Sequence, residues 1–253
     1  MSKSGYRLKG NSKLYLIALS DLHIGSESFN EQFFNYALDT IDKIKGPRRI
    51  LLGGDLLEHA SKTVGNSAFH TTMTLDDQID TAINYFRPYK KDIIFTAMGN
   101  HEARASRDID LDVMRLIAKA LHCEHGHQYF DTFNINAEPF TAYIKHGKGS
   151  TSLAHLQQGK AIRETACIEA DLFLEGHSHR LDFFSYPVRT NEGIKRRYYG
   201  FTGAFLNYTG GYPDSMTLPV LPPAFQVITI NKDRIVRSVP YFIDQVAPEM
   251  FSL

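Results

Sequence analysis

The sequence predicts an α/β protein with two packed β-sheets, and three observations carry that expectation. Strand-type runs and helical periods alternate through the N-terminal part of the chain. The C-terminal part is almost entirely strand-like, with turn signals between the runs. No Pro/Gly/Ser-rich linker separates the two, so one domain over residues 1–253 is expected.

Leu14–Leu19 is a continuous apolar run that stops at Ser20-Asp21, the pattern of a strand buried on both faces. Over Glu31–Lys45, Phe34, Leu38, Ile41 and Ile44 recur near helical spacing, and Gly46-Pro47 closes the segment. Ile50–Leu52 reads as a short strand ending in Gly53-Gly54. Asp76–Phe86 reads as a helix through Ile79, Ala82, Ile83 and Phe86, stopped by Pro88. Ile93–Ala97 is a strand leading to Gly99. Ile109–Leu121 is a helix with Val113, Leu116, Ile117 and Ala120 on one face. Further strands follow at Tyr129–Ile135, Phe140–Lys145, Leu172–Leu174, Leu181–Val188, Arg197–Thr202, Phe225–Ile230 and Arg234–Tyr241. Asn191-Glu192-Gly193 and Asn231-Lys232-Asp233 mark turns. The strands of 180–253 are expected mainly in the second sheet, with a lid or structural loop over 207–223.

Composition bounds the function. Apolar residues make up 43% and charged residues 22% of the 253, which excludes a disordered chain and a charged helical rod. Lys+Arg and Asp+Glu are both 28, so a protein that wraps nucleic acid with an overall basic excess is excluded; any such contact is local. No run approaches the ~18 apolar residues of a membrane helix, and the first thirteen residues are polar. Two cysteines, Cys123 and Cys167, suit a reducing compartment, so a cytoplasmic protein without membrane partners is expected.

Histidine, at 11, is the unusual count. Short phrases, each after an expected strand, carry several of them: Asp21-Leu22-His23, Gly54-Asp55-Leu56-Leu57-Glu58, Gly99-Asn100-His101-Glu102, His146-Gly147 and Gly176-His177-Ser178-His179. The carboxyl ends of strands in open sheets form the ligand crevice, so these phrases can converge. Asp, Asn and His side chains at one point form an O/N ligand set suited to Mn²⁺, Fe or Zn²⁺. Asp21, His23, Asp55, Asn100, His146, His177 and His179 offer more donors than one ion needs. A shared carboxylate would make them two sites, the arrangement that clamps an in-line phosphoryl displacement.

In order and content, D-x-H, G-D-x-x-E, G-N-H-E, H-G and G-H-x-H resemble the calcineurin-like metallophosphoesterase superfamily over about Asp21 to His179. The resemblance implies a four-layer αββα sandwich of two mixed β-sheets flanked by helices. It also implies two divalent ions, Mn first, with Fe, Zn, Co or Ni as alternatives. Asp21, His23 and His179 would hold one ion and Asn100, His146 and His177 the other, with Asp55 bridging. A hydroxide between the ions would be the nucleophile. His101 would meet the leaving oxygen as acid or charge stabiliser, and Glu58 would orient His101, while Glu102 would hold its own turn. The substrate the resemblance implies would be a phosphoester, here expected to be a phosphodiester of a nucleotide or nucleic acid. A phosphomonoester is the alternative, and a non-catalytic scaffold is disfavoured by the intact motif set. The phosphoprotein-phosphatase branch carries Asp-Arg-Gly where Glu58-His59-Ala60 stands, and Arg where Met98 stands.

Other residues receive weaker readings. Arg104 and Arg107 are candidate phosphate contacts, and His70, in the polar segment after Asp55, a candidate substrate residue. His122 to His127 reads as a polar loop rather than a zinc tract, and Lys195-Arg196-Arg197 as a solvated strand edge. Oligomeric state is not legible.

Overall fold

A computed structural model describes residues 5–59, 71–149, 153–191, 193–207 and 221–247. Its strands are β1 (Gly5–Tyr6), β2 (Lys13–Leu19), β3 (Arg48–Leu52), β4 (Ile93–Ala97), β5 (Glu124–Gly126), β6 (Gln128–Ile135), β7 (Glu138–Lys145), β8 (Leu172–Glu175), β9 (Leu181–Thr190), β10 (Gly193–Thr202), β11 (Ala224–Asn231) and β12 (Val236–Phe242). Its helices are α1 (Glu31–Asp42), α2 (Leu75–Phe86), α3 (Asn100–Ile109), α4 (Val113–Leu121), α5 (Ala154–Glu164) and α6 (Ile243–Val246). The strands form two six-stranded mixed sheets, β12-β11-β2-β3-β4-β5 and β1-β6-β7-β8-β10-β9.

The layers follow from which side chains each strand turns to each face. Leu14, Leu16 and Ala18 of β2 join Phe133, Phe140, Ile144, Leu172 and Leu174 of the other sheet in the core between the sheets. Ile17 and Leu19 point the opposite way, into a core with Phe33, Phe34 and Ile41 of α1, Phe86 of α2 and Ile117 of α4. On the far side Tyr143, Phe173 and Tyr199 pack against Ala161 and Ile162 of α5. The result is helix, sheet, sheet, helix, as expected. Helix starts are fixed by side chains that accept from backbone N–H groups left free in the first turn: Asn30 from Phe33 (2.8 Å), Thr74 from Asp77 (3.2 Å) and Asp112 from Arg115 (3.0 Å).

Three expectations are corrected, and one helix was not expected. The helix read over 109–121 starts only at Val113: Ile109 is the last residue of α3, Asp110 turns left-handed (φ 54°), and Asp112 caps α4. Helix α5 lacks an apolar stripe, burying only Gln157 and Ala161, so its period is invisible in the sequence. The polar stretch 122–127 contains β5, which adds to β4 in parallel with Thr96 opposite His125. Finally, 180–253 is divided between the sheets. The hairpin β9–β10 extends the second sheet, but β11 returns to lie antiparallel to β2 in the first. Seven of its eight residues are buried, and only an interior position covers both faces of such a strand. Most of 207–223 lies outside the described residues.

A candidate binuclear metal centre

Strands β2, β3 and β4 are mutually parallel and end at Ser20-Asp21, Gly53-Gly54-Asp55 and Gly99-Asn100. Parallel β7 and β8 end at His146 and at Gly176-His177. Their carboxyl ends meet at one rim of the sandwich. The backbone there turns sharply: Asp21 (φ 54°), His23 (54°), Asp55 (48°), His177 (66°) and His179 (55°) are all left-handed. Such non-glycine residues cost of order 1 kcal/mol or more each, and that strain concentrates at functional sites.

The side chains form three clusters of metal-competent groups: Asp21, His23 and His179; Asp55, His146 and His177; and His23, Glu58 and His101. His179 Nε2 lies 3.4 Å from Asp21 Oδ1, and His146 Nε2 lies 3.1 Å from Asp55 Oδ2. Asn100 Oδ1 sits 2.8 Å from His177 Nδ1 and 3.1 Å from His146 Nε2. All seven candidate ligands therefore converge. His101 Nε2 is 4.0 Å from Asp55 Oδ2, in the same space.

Hydrogen bonding fixes which nitrogens face inward. His146 donates Nδ1–H to the Gly53 carbonyl (2.8 Å) and His23 donates Nδ1–H to Glu58 Oε2 (2.9 Å). Each thereby aims Nε2 at the cluster, the arrangement that orients metal-ligating histidines. His23 Nε2 is buried without a hydrogen-bond partner, 4.0 Å from Asp55 Oδ2. A buried nitrogen without a partner, facing carboxylates, is a place that a proton or a metal cation would satisfy. The residues present thus fit divalent metal.

Charge tells the same story. Burial opposes ionisation of Asp55 and Asp21, yet contacts with His146 and with His179 hold both carboxyls below the ordinary value. Burial disfavours protonated His23 and His146, yet Glu58 pushes the first up to about 9 and Asp55 the second to about 10. Protons stand where cations would. Burial, reinforced by the His23 charge, lowers His101 to about 4 and leaves it neutral.

The role expected of the Glu58 carboxylate is corrected. The Glu58 carboxylate hydrogen-bonds His23, not His101. His101 donates Nδ1–H to the Glu58 backbone carbonyl instead (2.5 Å), and its ring stays 3.7 Å from Glu58 Oε2. Left-handed Asp55 and His23 bring β3's exit loop beside β2's, which puts the carboxylate under His23. Arg104 Nη1 is 3.1 Å from His101 Nδ1; that nitrogen's proton is already donated, so the contact is one of charge. Arg107 instead pairs with Asp108 (2.9 Å), its side chain 66% exposed on α3. His70 lies outside the described residues.

Read from sequence, Glu102 is confined to its own turn and Ser20 has no role. Glu102, fully buried, accepts from the N–H groups of Gly99, Asp55 and Leu57, so it does more than hold its own turn. Ser20 donates to Asp21 and meets Thr202 Oγ1 at 2.5 Å. An acid three residues after a helix-start glycine was the available signal for the first.

Residues 14–181 match the family model for calcineurin-like phosphoesterases. The chain belongs to that family. The calcineurin-like phosphoesterase is accordingly a metal-dependent hydrolase acting on phosphoester bonds. Solved structures that it resembles include a metallophosphoesterase from Sphaerobacter thermophilus, at 15% identity and TM-score 0.46, covering 93% of this chain and 92% of that one. A single-mutant Vps29 from Entamoeba histolytica matches at 14% identity and TM-score 0.46, covering 90% and 98%. The NAD nucleotidase of Haemophilus influenzae matches at 10% identity and TM-score 0.47, covering 91% of this phosphoesterase and 50% of the nucleotidase. Comparison with curated proteins finds no significant match. No helix among the described residues is long and apolar enough to cross a membrane.

Proposed function

We propose that this phosphoesterase cleaves phosphodiesters of nucleotides or nucleic acid at a pair of divalent ions, with Mn²⁺ the ion of choice. One observation carries the two-ion reading: Asp55 Oδ2 faces an imidazole from each of two ligand trios, His146 at 3.1 Å and His23 at 4.0 Å. Asp21, His23 and His179 form one trio, Asn100, His146 and His177 the other, and Asp55 is shared. Carboxylate, amide and imidazole donors without thiolate suit Mn²⁺. Ions bound there would polarise the phosphoryl oxygens and lower the pKa of water.

The chain's own groups do the rest. Asp55 Oδ1 accepts the His101 N–H (2.9 Å) and so fixes the start of α3 beside the reaction space. His101, its Nδ1–H held by the Glu58 carbonyl, presents Nε2 to the leaving-group side. His101 rests neutral, so in this reading Nε2 would take a proton from solvent and pass it to the leaving alkoxide, a transfer favoured because burial and the His23 charge make that imidazolium a strong acid. Arg104 beside it supplies a permanent positive charge for a diester's single negative one. The free thiols of Cys123 and Cys167 support a reducing, cytoplasmic setting, and the core shared by the two sheets supports a single domain.

A panel running from nitrophenyl esters through cyclic nucleotides to single-stranded DNA, assayed with Mn²⁺, tests the reading. Turnover of diesters, abolished by chelator and reduced by several orders of magnitude in Asp55→Asn, is expected. Exclusive turnover of monoesters would replace the diester assignment, and activity unchanged by chelation would end the two-ion reading.

A further inference from the structure

We infer that Glu102 is a positioning residue that locks the bridging-aspartate loop to the helix carrying Asn100, and thereby sets the spacing of the two metal positions. The inference rests on the two-ion reading proposed above. Glu102 Oε2 accepts from Gly99 N (2.9 Å) and Asp55 N (3.0 Å), and Oε1 accepts from Leu57 N (3.0 Å). The first donor belongs to the loop after β4 and the other two to the loop after β3. The lock is reciprocal, since Asp55 Oδ1 accepts from the His101 N–H on α3 at 2.9 Å. One carboxylate oxygen of Asp55 is thus committed to the helix, and the other, Oδ2, is left to face His146 and His23.

The two loops are in contact, with no room for a side chain between them. A Cβ on Gly99 would lie 2.7 Å from Glu102 Oε2 and would strike Asp55. Gly54, left-handed at φ 87°, would bring a Cβ 2.7 Å from Gly99 N. Glu102 itself is fully buried, and the N–H donors that converge on it favour its carboxylate form against the burial and the Asp55 charge that raise its pKa. Both of its oxygens are used by donors, so an amide, which turns N–H groups toward N–H groups, cannot replace it. Helix capping alone would need only the Gly99 contact. The reach to Asp55 and Leu57 ties a ligand of both ions to a ligand of one.

Glu102→Gln preserves size and removes the double acceptor. It is to be loaded with Mn²⁺ alone, its fold checked by near-ultraviolet circular dichroism, and its ions read by calorimetric titration and electron paramagnetic resonance. Wild type is expected to bind two Mn²⁺ and show the exchange-coupled signal of a close pair. The variant is expected to keep its fold, bind one ion 10–100-fold more weakly, the range for groups that orient ligands, and show a weakened or absent coupled signal. Gly99→Ala, which wedges the same joint from the other side, should weaken the coupling likewise and stands in if Glu102→Gln fails to fold. A lower melting temperature with wild-type affinities and wild-type coupling would overturn the inference and leave Glu102 a helix cap. A wild-type protein that never shows the coupled pair would overturn the two-ion reading itself.

Discussion

His23 and His101 stack edge to face, their ring centroids 4.4 Å apart, and both hang on Glu58 by different atoms. The carboxylate serves His23 and the backbone carbonyl serves His101, so substitution separates the two functions. Glu58→Gln leaves the carbonyl in place but weakens the acceptor that orients His23. It is expected to reduce metal affinity 10–100-fold, measured by calorimetric titration, and to lower turnover equally on nitrophenyl and ribose esters at subsaturating metal. His101→Ala should retain both ions yet lose ~10²–10⁴-fold on ribose-type leaving groups, and far less on nitrophenyl esters. A Glu58→Gln defect confined to poor leaving groups would return its carboxylate to His101. The convergence of the candidate ligand residues was legible in the sequence, because D-x-H and its companions fix residue type and order. The division of labour at Glu58 was not, because it depends on how two left-handed turns stack the loops.

Among elements, legibility followed burial. Strands β2 and β11 and helices α1, α2 and α4 show their apolar faces in the sequence. Helices α3 and α5 each bury only two residues, Glu102 with Ala105 and Gln157 with Ala161, so no hydrophobic period marks them. The expected start of β3 at Ile50 also passed over Arg49, a charged residue inside the sandwich. Arg49 of β3 donates Nε–H to Asp131 Oδ2 of β6 at 2.6 Å, with a second contact between Nη2 and Oδ1, and donates Nη1–H to Tyr6 at 2.9 Å. This pair pins one sheet to the other, with side chains 7% and 2% exposed. Removing one partner strands a buried charge, so Asp131→Ala should lower unfolding free energy in urea by ~3–5 kcal/mol. The double replacement Arg49→Met with Asp131→Leu should recover most of it. A loss under about 1 kcal/mol for Asp131→Ala would show that the guanidinium finds water or another acceptor at the seam.

For the whole molecule, the rim where both sheets end is a store of protons that metal must displace. Strand geometry forces acidic and imidazole groups together, and in the absence of cations the imidazoles hold the balancing charge. His23 and His146 have folded values of about 9 and about 10, above the ordinary 6.5. A group raised in this way contributes stability that is complete below its unfolded value and lost as pH rises through the folded one. The metal-free protein should therefore lose melting temperature steadily from about pH 6.5 upward. Metal binding runs the other way, since ligands must give up their protons to bind. The stabilisation conferred by a fixed Mn²⁺ concentration should grow from pH 6.5 to 9 over the window in which the metal-free protein weakens. Calorimetry in two buffers of different ionisation enthalpy should count about two protons released per ion pair near neutrality, one each from His23 and His146. A metal-free melting temperature flat across that window, with no proton release, would mean that both imidazoles are already neutral. The rim would then be held by hydrogen bonds alone, without the stored charge that makes metal exchange for protons.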